Sequence, residues 1–352
     1  MNKILLEDLK YITNQDLYWE EFRNKTVLIS GASGFIASYM VEVFNYLNTI
    51  KNLNIKIIVQ CRNKEKALQR FKDIHESSQF IISTKDILDE ISYHKDIDYI
   101  IHAASPATPK VFEKDPVGTI LPNIVGTNNL LKLAVEKKVK GFLFVSTSGV
   151  NGYFEDNNYY KYPLQEDDIG ILDFTKVSSC YLESKRAGEN LCLAYRYQYN
   201  VPIKIVRPSI TYGYGIKLRD GRAASDFIAD ILDKKDITLY SDGEVYRNFC
   251  YIADVILGFF IVLLKGQSGG IYNVATDKEI KIIELAELLT NKIFPDLNLK
   301  VLIKKDQLKD YPRTQFSDTQ RDISKIKSLG WIINFDIEEG FKRTIEAYKG
   351  EV

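Results

Sequence analysis

Near the start of the chain, apolar residues at Ile4, Leu5, Leu9 and Ile12 have helical spacing, and an aromatic cluster of Tyr18, Trp19 and Phe22 follows. Residues 1–24 are therefore read as an amphipathic lead-in that packs on the main body. The period then changes. Thr26 to Ser30 (TVLIS) is a short β-rich apolar run that meets Gly31-Ala-Ser-Gly34-Phe-Ile-Ala37 and a helical pattern through Tyr46. Ile55 to Gln60 predicts a second strand, Lys64 to Ile74 a charged helix, and Phe80 to Ser83 and Asp98 to Ile101 two more strands. A helix predicted over 123–137 leads into a strand over Gly141 to Thr147. The strands are continuously apolar rather than alternating, and helices separate them, which predicts a doubly wound parallel sheet covered on both faces. Beyond Ile205 the pattern loosens, with helices predicted at 222–234, 252–264, 279–293 and 337–348. The expected organisation is α/β, with a nucleotide-binding-type domain over 25–206 and a smaller C-terminal α/β substrate domain over 207–352.

Composition narrows the function. Lys plus Arg and Asp plus Glu are both 47 in 352 residues, so no overall positive field favours nucleic acid or an anionic membrane, and any anion must be bound locally. Cys61, Cys180, Cys192 and Cys250 are scattered, and His75, His94 and His102 lie far from them, which argues against a metal site and a disulfide framework. The first 22 residues carry acidic side chains within their apolar stretch, and the longest apolar run, Val255 to Leu264, is too short to span a bilayer. A soluble, reduced, cytoplasmic protein is expected.

Two constellations carry chemistry. Gly31-x-x-Gly34-x-x-Ala37 follows a strand and opens a helix, the context in which glycines let a backbone approach a pyrophosphate at a helix N-terminus. The second strand, however, ends Val59-Gln60-Cys61-Arg62-Asn63. The acid that accepts hydrogen bonds from an adenosine ribose is missing, and Arg62 suits a 2′-phosphate better, so NAD and NADP both stay open. Downstream, Tyr181-Leu-Glu-Ser-Lys185 opens a helical segment, placing Tyr181 and Lys185 one turn apart on one face. An ammonium beside a phenol favours the phenolate, so the pair can serve as an acid/base. Thr147 and Ser148 end the preceding strand and offer hydroxyls to a substrate oxygen.

With these motifs the chain resembles the extended short-chain dehydrogenase/reductases of the nucleotide-sugar epimerase/dehydratase family. The resemblance covers about residues 25–348. It also rests on Asp86-Ile87, His102-Ala-Ala-Ser105, Asn123-x-x-Gly126-Thr127, Arg207-Pro-Ser-Ile-Thr-Tyr-Gly213 and Arg247-x-Phe-x-Tyr251-x-x-Asp254. It implies a Rossmann fold in which Thr147, Tyr181 and Lys185 are catalytic and Lys185 also holds the nicotinamide ribose. The cofactor would lie along Gly31, Ser33, Gly34, Phe35, Ile36, Arg62, Ala103, Ala104 and Ser105, with Asp86 and Ile87 flanking the adenine. Relatives commonly dimerise through two helices per subunit, which implies a homodimer through 123–137 and 181–198. Ala104-Ser-Pro-Ala-Thr-Pro109, Asp115-Pro-x-x-Thr119 and Asp220-Gly-Arg222-x-x-Ser225-x-Phe-Ile228 are similar to the UDP-glucuronate decarboxylase branch. In that branch the arginine matching Arg222 helps bind the nucleotide, and Arg247 matches an arginine that contacts the diphosphate. Ser148 joins them as a substrate contact.

Three departures shape the expected reaction. Gly149 stands where decarboxylases and dehydratases carry a catalytic glutamate, Ile210 where many members have an asparagine, and Cys61 where the ribose-binding acid would be. Hydride transfer at a sugar carbon, by a 4-epimerase or keto-sugar reductase acting on a nucleotide-linked sugar, is therefore preferred to decarboxylation or 4,6-dehydration. A non-catalytic NAD(P)-binding sensor is the alternative from another class, and the Thr147, Tyr181 and Lys185 set argues against it.

Overall fold

The computed structural model describes residues 1–152, 163–304 and 320–350. Helix α1 (Lys3–Thr13) is capped by the Asn2 side chain, which accepts from the Ile4 and Leu5 N–H groups. Strand β1 (Thr26–Ser30), helix α2 (Phe35–Lys51), β2 (Lys56–Gln60), α3 (Lys64–Arg70), β3 (Phe80–Ser83) and β4 (Tyr99–His102) follow the predicted order. Next come α4 (Pro109–Lys114), α5 (Pro116–Leu121), α6 (Thr127–Lys137), β5 (Gly141–Val145), α7 (Cys180–Tyr199) and β6 (Ile203–Pro208). The later chain contributes β7 (Ile210–Tyr212), α8 (Ala223–Leu232), β8 (Ile237–Leu239), β9 (Tyr246–Arg247), β10 (Phe249–Tyr251) and α9 (Ile252–Lys265). It closes with β11 (Gly270–Val274), β12 (Ile280–Lys281), α10 (Ile282–Glu287), β13 (Val301–Ile303), α11 (Ser324–Lys327) and α12 (Ile337–Lys349).

Seven strands form one parallel sheet in the order β11-β6-β5-β4-β1-β2-β3. Strand pleat sorts the apolar runs into two cores. Leu28, Ile58, Ile100, Phe142 and Phe144 meet Leu130, Leu131 and Cys192 of α6 and α7 on one face. Val27, Ile29, Ile57, Ile101 and Leu143 meet α2 and α9 on the other. The strand order reverses between β1 and β4, so a crevice opens at their C-terminal ends, where ligands of such folds bind.

The sheet does not stop at the expected boundary. Residue 206 falls inside β6, and β11 pairs with β6 from Gly270↔Lys204 to Val274↔Pro208. A parallel neighbour requires a crossover, and α9, buried almost throughout, packs in that layer. The helix expected over 123–137 is also interrupted. Pro122–Gly126 forms a wide π turn between α5 and α6, and the freed carbonyl of Asn123 accepts from the Thr127 hydroxyl at 2.6 Å. Among the described residues no helix is long and apolar enough to cross a membrane, and the four cysteines are free and buried.

Candidate functional site

Between β1 and α2 the chain turns through Gly31 at φ +66°, and a Cβ there would lie 2.6 Å from the Ala104 Cα. Glycine is required by both the left-handed backbone and the approach of the β4 end. Gly34 caps α2, its N–H bonded to the Gly31 carbonyl at 2.8 Å, and no side chain caps this 17-residue helix. The first-turn N–H groups at Phe35 and Ile36 therefore have no intrahelical acceptor, and Gly31 at the head of the turn lies against Ala103 and Ala104. Ser33 lies in the turn itself.

Beneath the turn runs a buried polar chain. Ser30 Oγ lies 2.8 Å from His102 Nδ1 and takes the Ala103 and Ala104 N–H groups at 3.2 and 3.3 Å. His102 Nε2 lies 2.9 Å from Thr127 Oγ1. Burial, reinforced by the Lys185 charge, pushes the imidazole down to about 3, so it is neutral. Asn123 extends the chain toward α7: its amide donates to the Thr119 carbonyl and to Ser184 Oγ, and Ser184 donates to the Tyr181 carbonyl. The sequence motifs contain His102 and Asn123, but only the fold shows that they tie the glycine turn to the helix that carries Tyr181.

At the end of β5, Thr147 Oγ1 accepts from the Gly149 N–H at 3.4 Å and starts a short 3-10 turn, Ser148–Asn151. The Tyr181 phenol is pushed up to about 12 by burial, while a hydrogen bond with Thr147 and the charge of Arg222 pull the other way. Lys185 is 3% exposed; its Nζ donates to the Val145 carbonyl at 2.7 Å and lies 5.0 Å from the centre of the Phe144 ring. Burial pushes its ammonium down to about 7, against the opposing charge of Glu189. Within the fold the Lys185 ammonium is engaged by the end of β5, while Thr147 and the charge of Arg222 favour the ionised form of the phenol.

Arg222 reaches this edge from the later half of the chain. Its guanidinium is gripped by Asp220 at 2.9 and 2.5 Å. Burial opposes the Asp220 charge, but Arg222 and Ser225 prevail and hold its carboxyl below the usual range. Ser148 is buried, and its carbonyl accepts from Arg321 at 3.2 Å. Ile87 is buried against Gly126, and the Asp86 carboxylate accepts from the Leu88 N–H at 3.0 Å. Thr147 lies beside the Tyr181 phenol and the Arg222 charge is felt there; Arg62 is exposed beyond β2, and Arg247 on β9 donates to the Tyr246 carbonyl among its contacts. No group of metal-binding side chains occurs among the described residues.

Two apolar neighbours of Tyr181 had no signal in the sequence. Phe112 on α4 stacks on the phenol ring at 4.6 Å between centroids and 10° between planes. Leu182 fills the space beside Gly149, its Cδ2 lying 2.7 Å from where a Cβ would stand. Of the acids at 166–168 that could have replaced a carboxylate at 149, Glu166 accepts from the Asn273 N–H and Asp168 from the Gln165 N–H, while Asp167 is exposed.

Residues 27–275 match the NAD dependent epimerase/dehydratase family. The chain belongs to this family. The member is 31% identical to UDP-glucuronic acid decarboxylase 3 of Arabidopsis thaliana over 93% of this chain and 90% of the relative. Its fold is shared with the UDP-glucose 4-epimerase of Thermotoga maritima, solved with UDP-glucose (TM-score 0.77, 23% identity, 93% of this chain and 99% of that one). It is shared equally with the UDP-glucuronic acid 4-epimerase of Bacillus cereus, solved with UDP-glucuronic acid and NAD (TM-score 0.74, 24% identity, 93% and 100%). The protein is thus an NAD-dependent enzyme of the extended short-chain dehydrogenase/reductase type with a Rossmann fold. The site accommodates that cofactor. The turn has no room for a side chain at Gly31, the α2 N-terminus is uncapped, and buried Ser146 Oγ and Asn123 Oδ1 at this edge lack hydrogen-bond partners among the described residues.

Proposed function

We propose that the enzyme catalyses reversible hydride transfer at a ring carbon, C4, of a nucleotide-linked sugar, as a 4-epimerase or a keto-sugar reductase. The observation that carries the reading is Tyr181 on the first turn of α7 beside Thr147 at the C-terminal edge of the sheet, within the influence of the Arg222 charge, with Gly149 and Leu182 where a further acid would stand. Gly31, Ser33, Gly34, Phe35 and Ile36 hold the pyrophosphate of the cofactor, Ala103 to Ser105 lie along it, and Asp86 and Ile87 flank the adenine. Bound NAD supplies the hydride acceptor and donor.

Tyr181 exchanges the proton of the reacting hydroxyl. With its phenol raised to about 12 it carries the proton at neutral pH and can give it to a carbonyl oxygen. In the opposite direction it takes a hydroxyl proton as a phenolate, which the Thr147 hydrogen bond and the Arg222 charge favour. Thr147 and Ser148 orient the sugar oxygen, Lys185 holds the nicotinamide ribose, and Arg222 and Arg247 bind the diphosphate. The later half of the chain, 207–352, acts as the substrate-binding part, although its β11 belongs to the sheet. A homodimer through α6 and α7 is supported by exposed Ile124, Val125 and Tyr197 on or beside those helices, and a cytoplasmic location by the four unpaired cysteines.

The test is incubation of the purified enzyme with a panel of nucleotide sugars, followed by mass analysis of the products and of released carbon dioxide. Epimerised or reduced sugar is expected. The second reading, UDP-glucuronate decarboxylation, is favoured by the 31% identical relative. Decarboxylating or dehydrating a keto-sugar requires an additional acid or base beside the ring, and Gly149 supplies none. Carbon dioxide from UDP-glucuronate, or a 4-keto-6-deoxy product, at an ordinary enzymatic rate would put the second reading or a dehydratase first.

A further inference from the structure

Two hydrocarbon side chains border the first turn of α7, one beside Gly149 and one on the ring of the proton-exchanging phenol. Tyr181 and Leu182 are consecutive on the first turn of α7, so they diverge by about a hundred degrees around the helix. Leu182 leans toward the 3-10 turn that Thr147 starts, and its Cδ2 takes the place a Cβ at Gly149 would need, 2.7 Å away. Phe112, carried by α4 from across the crevice, lies flat on the phenol at 4.6 Å. Burial is the largest influence on that phenol and raises it, as an apolar surround must.

We propose that Leu182 and Phe112 form an apolar wall that selects a nucleotide-linked sugar bearing a methyl group, rather than a carboxylate, on the ring carbon next to the reacting one. The substrate class is thus a nucleotide-linked 6-deoxysugar. The proposal rests on the hydride-transfer reading and deepens it by naming the substituent at C5. A carboxylate pressed against this wall would lose its water, because leucine fills the side-chain slot of Gly149 and neither Leu182 nor Phe112 offers a hydrogen-bond donor. A methyl group gains burial and gives up nothing.

The experiment uses the enzyme with bound NAD and three matched substrates, a hexose, its 6-deoxy form and its uronate, each in UDP-linked and dTDP-linked form. Two signals are followed: product by mass, and reduced nicotinamide by its near-ultraviolet absorbance. For the wild type we expect kcat/KM for the 6-deoxy form to exceed that for the uronate by about tenfold or more, the scale on which apolar pockets discriminate. Leu182→Ala should narrow the ratio several-fold, chiefly by admitting the uronate, Leu182→Met should keep it, and Phe112→Ala should narrow it independently of position 182. A wild-type ratio near one, a preference for the uronate, or a ratio untouched by both alanine variants overturns the wall while leaving the hydride-transfer reading intact. If no member of either series is turned over or reduces the bound nicotinamide, the reading of the site fails first and the wall fails with it.

Discussion

Two of the places where the protein buries ionisable groups treat them differently. One is a clasp between the chain ends and α2, where the Asp8 carboxylate takes Tyr39 at 3.2 Å, Tyr251 at 2.9 Å and Arg343 at 2.8 Å. Nearby, Asp254 accepts from Tyr11 and from the Asn334 and Phe335 N–H groups. The other is the sheet edge, where Lys185 bonds a single carbonyl over an aromatic ring and Tyr181 lies under Phe112. In the clasp each carboxylate meets converging donors, so it orders the fold and has little capacity left for chemistry. At the edge the groups are desolvated with few partners, which is how a fold tunes a proton-exchanging site.

The largest expected effect separates the two regions outright. Tyr181→Phe removes the proton-exchanging oxygen and almost no volume, so turnover should fall by about 10² to 10⁴-fold while the melting temperature stays near that of the wild type. Wild-type turnover in this variant would remove Tyr181 from the mechanism. Lys185→Ala should abolish turnover and weaken retention of NAD, read as the nicotinamide content of the purified protein. Asp8→Ala should do the reverse. It takes the acceptor from the buried Tyr39 and Tyr251 hydroxyls and one of two close carboxylates from Arg343, which Glu7 still pairs at 2.9 Å, a loss on the order of 1 to 3 kcal/mol, seen as a lower denaturation midpoint with the activity of the folded fraction kept.

The pH dependence of stability sharpens the contrast because the signs differ. Burial raises Asp8 from 3.8 to about 6 despite Arg343, and burial likewise raises Asp254 from 3.8 to about 6. The folded clasp holds these protons more tightly than the unfolded chain, so its contribution to stability falls as pH rises from about 4 to about 6. Lys185 is lowered from 10.5 to about 7, so the fold sheds that proton first and its contribution rises from about 7 toward 10.5. Thermal melts across pH on the wild type, Asp8→Asn and Lys185→Met check this: Asp8→Asn should reduce the slope of the lower window, where Asp254 still acts, and Lys185→Met that of the upper one. The smallest effect belongs to the exposed Arg62. Arg62→Ala should leave NAD affinity unchanged and weaken NADP several-fold; tight NAD binding with no NADP binding even in the wild type would strip Arg62 of any 2′-phosphate role.

Much of the sheet was legible because its strands are short apolar runs punctuated by glycine and asparagine, and local signals place such runs well. The Gly31 turn, the Thr147 strand end and the one-turn spacing of Tyr181 and Lys185 were legible for the same reason: each is set by neighbours within a few residues. The wide turn at Pro122–Gly126 was missed because its helical periodicity resembles that of a regular helix, and only the Asn123 and Thr127 side chains show where the spare carbonyl goes.

By itself, the sequence determined the order of strands and helices, the glycine turn, the phenol and lysine on one helix face, and the absence of a carboxylate at position 149. These follow from residue type and short-range spacing, which survive without knowledge of the fold. Tertiary structure alone decided that β11 joins β6, that Lys185 is held by the end of β5 while the Arg222 charge acts on the phenol, and that Leu182 fills the space at Gly149 and Phe112 stacks on Tyr181. Each of these is a contact between segments far apart in the chain or a side-chain direction set by packing, and no local pattern encodes which distant surface a buried group will meet.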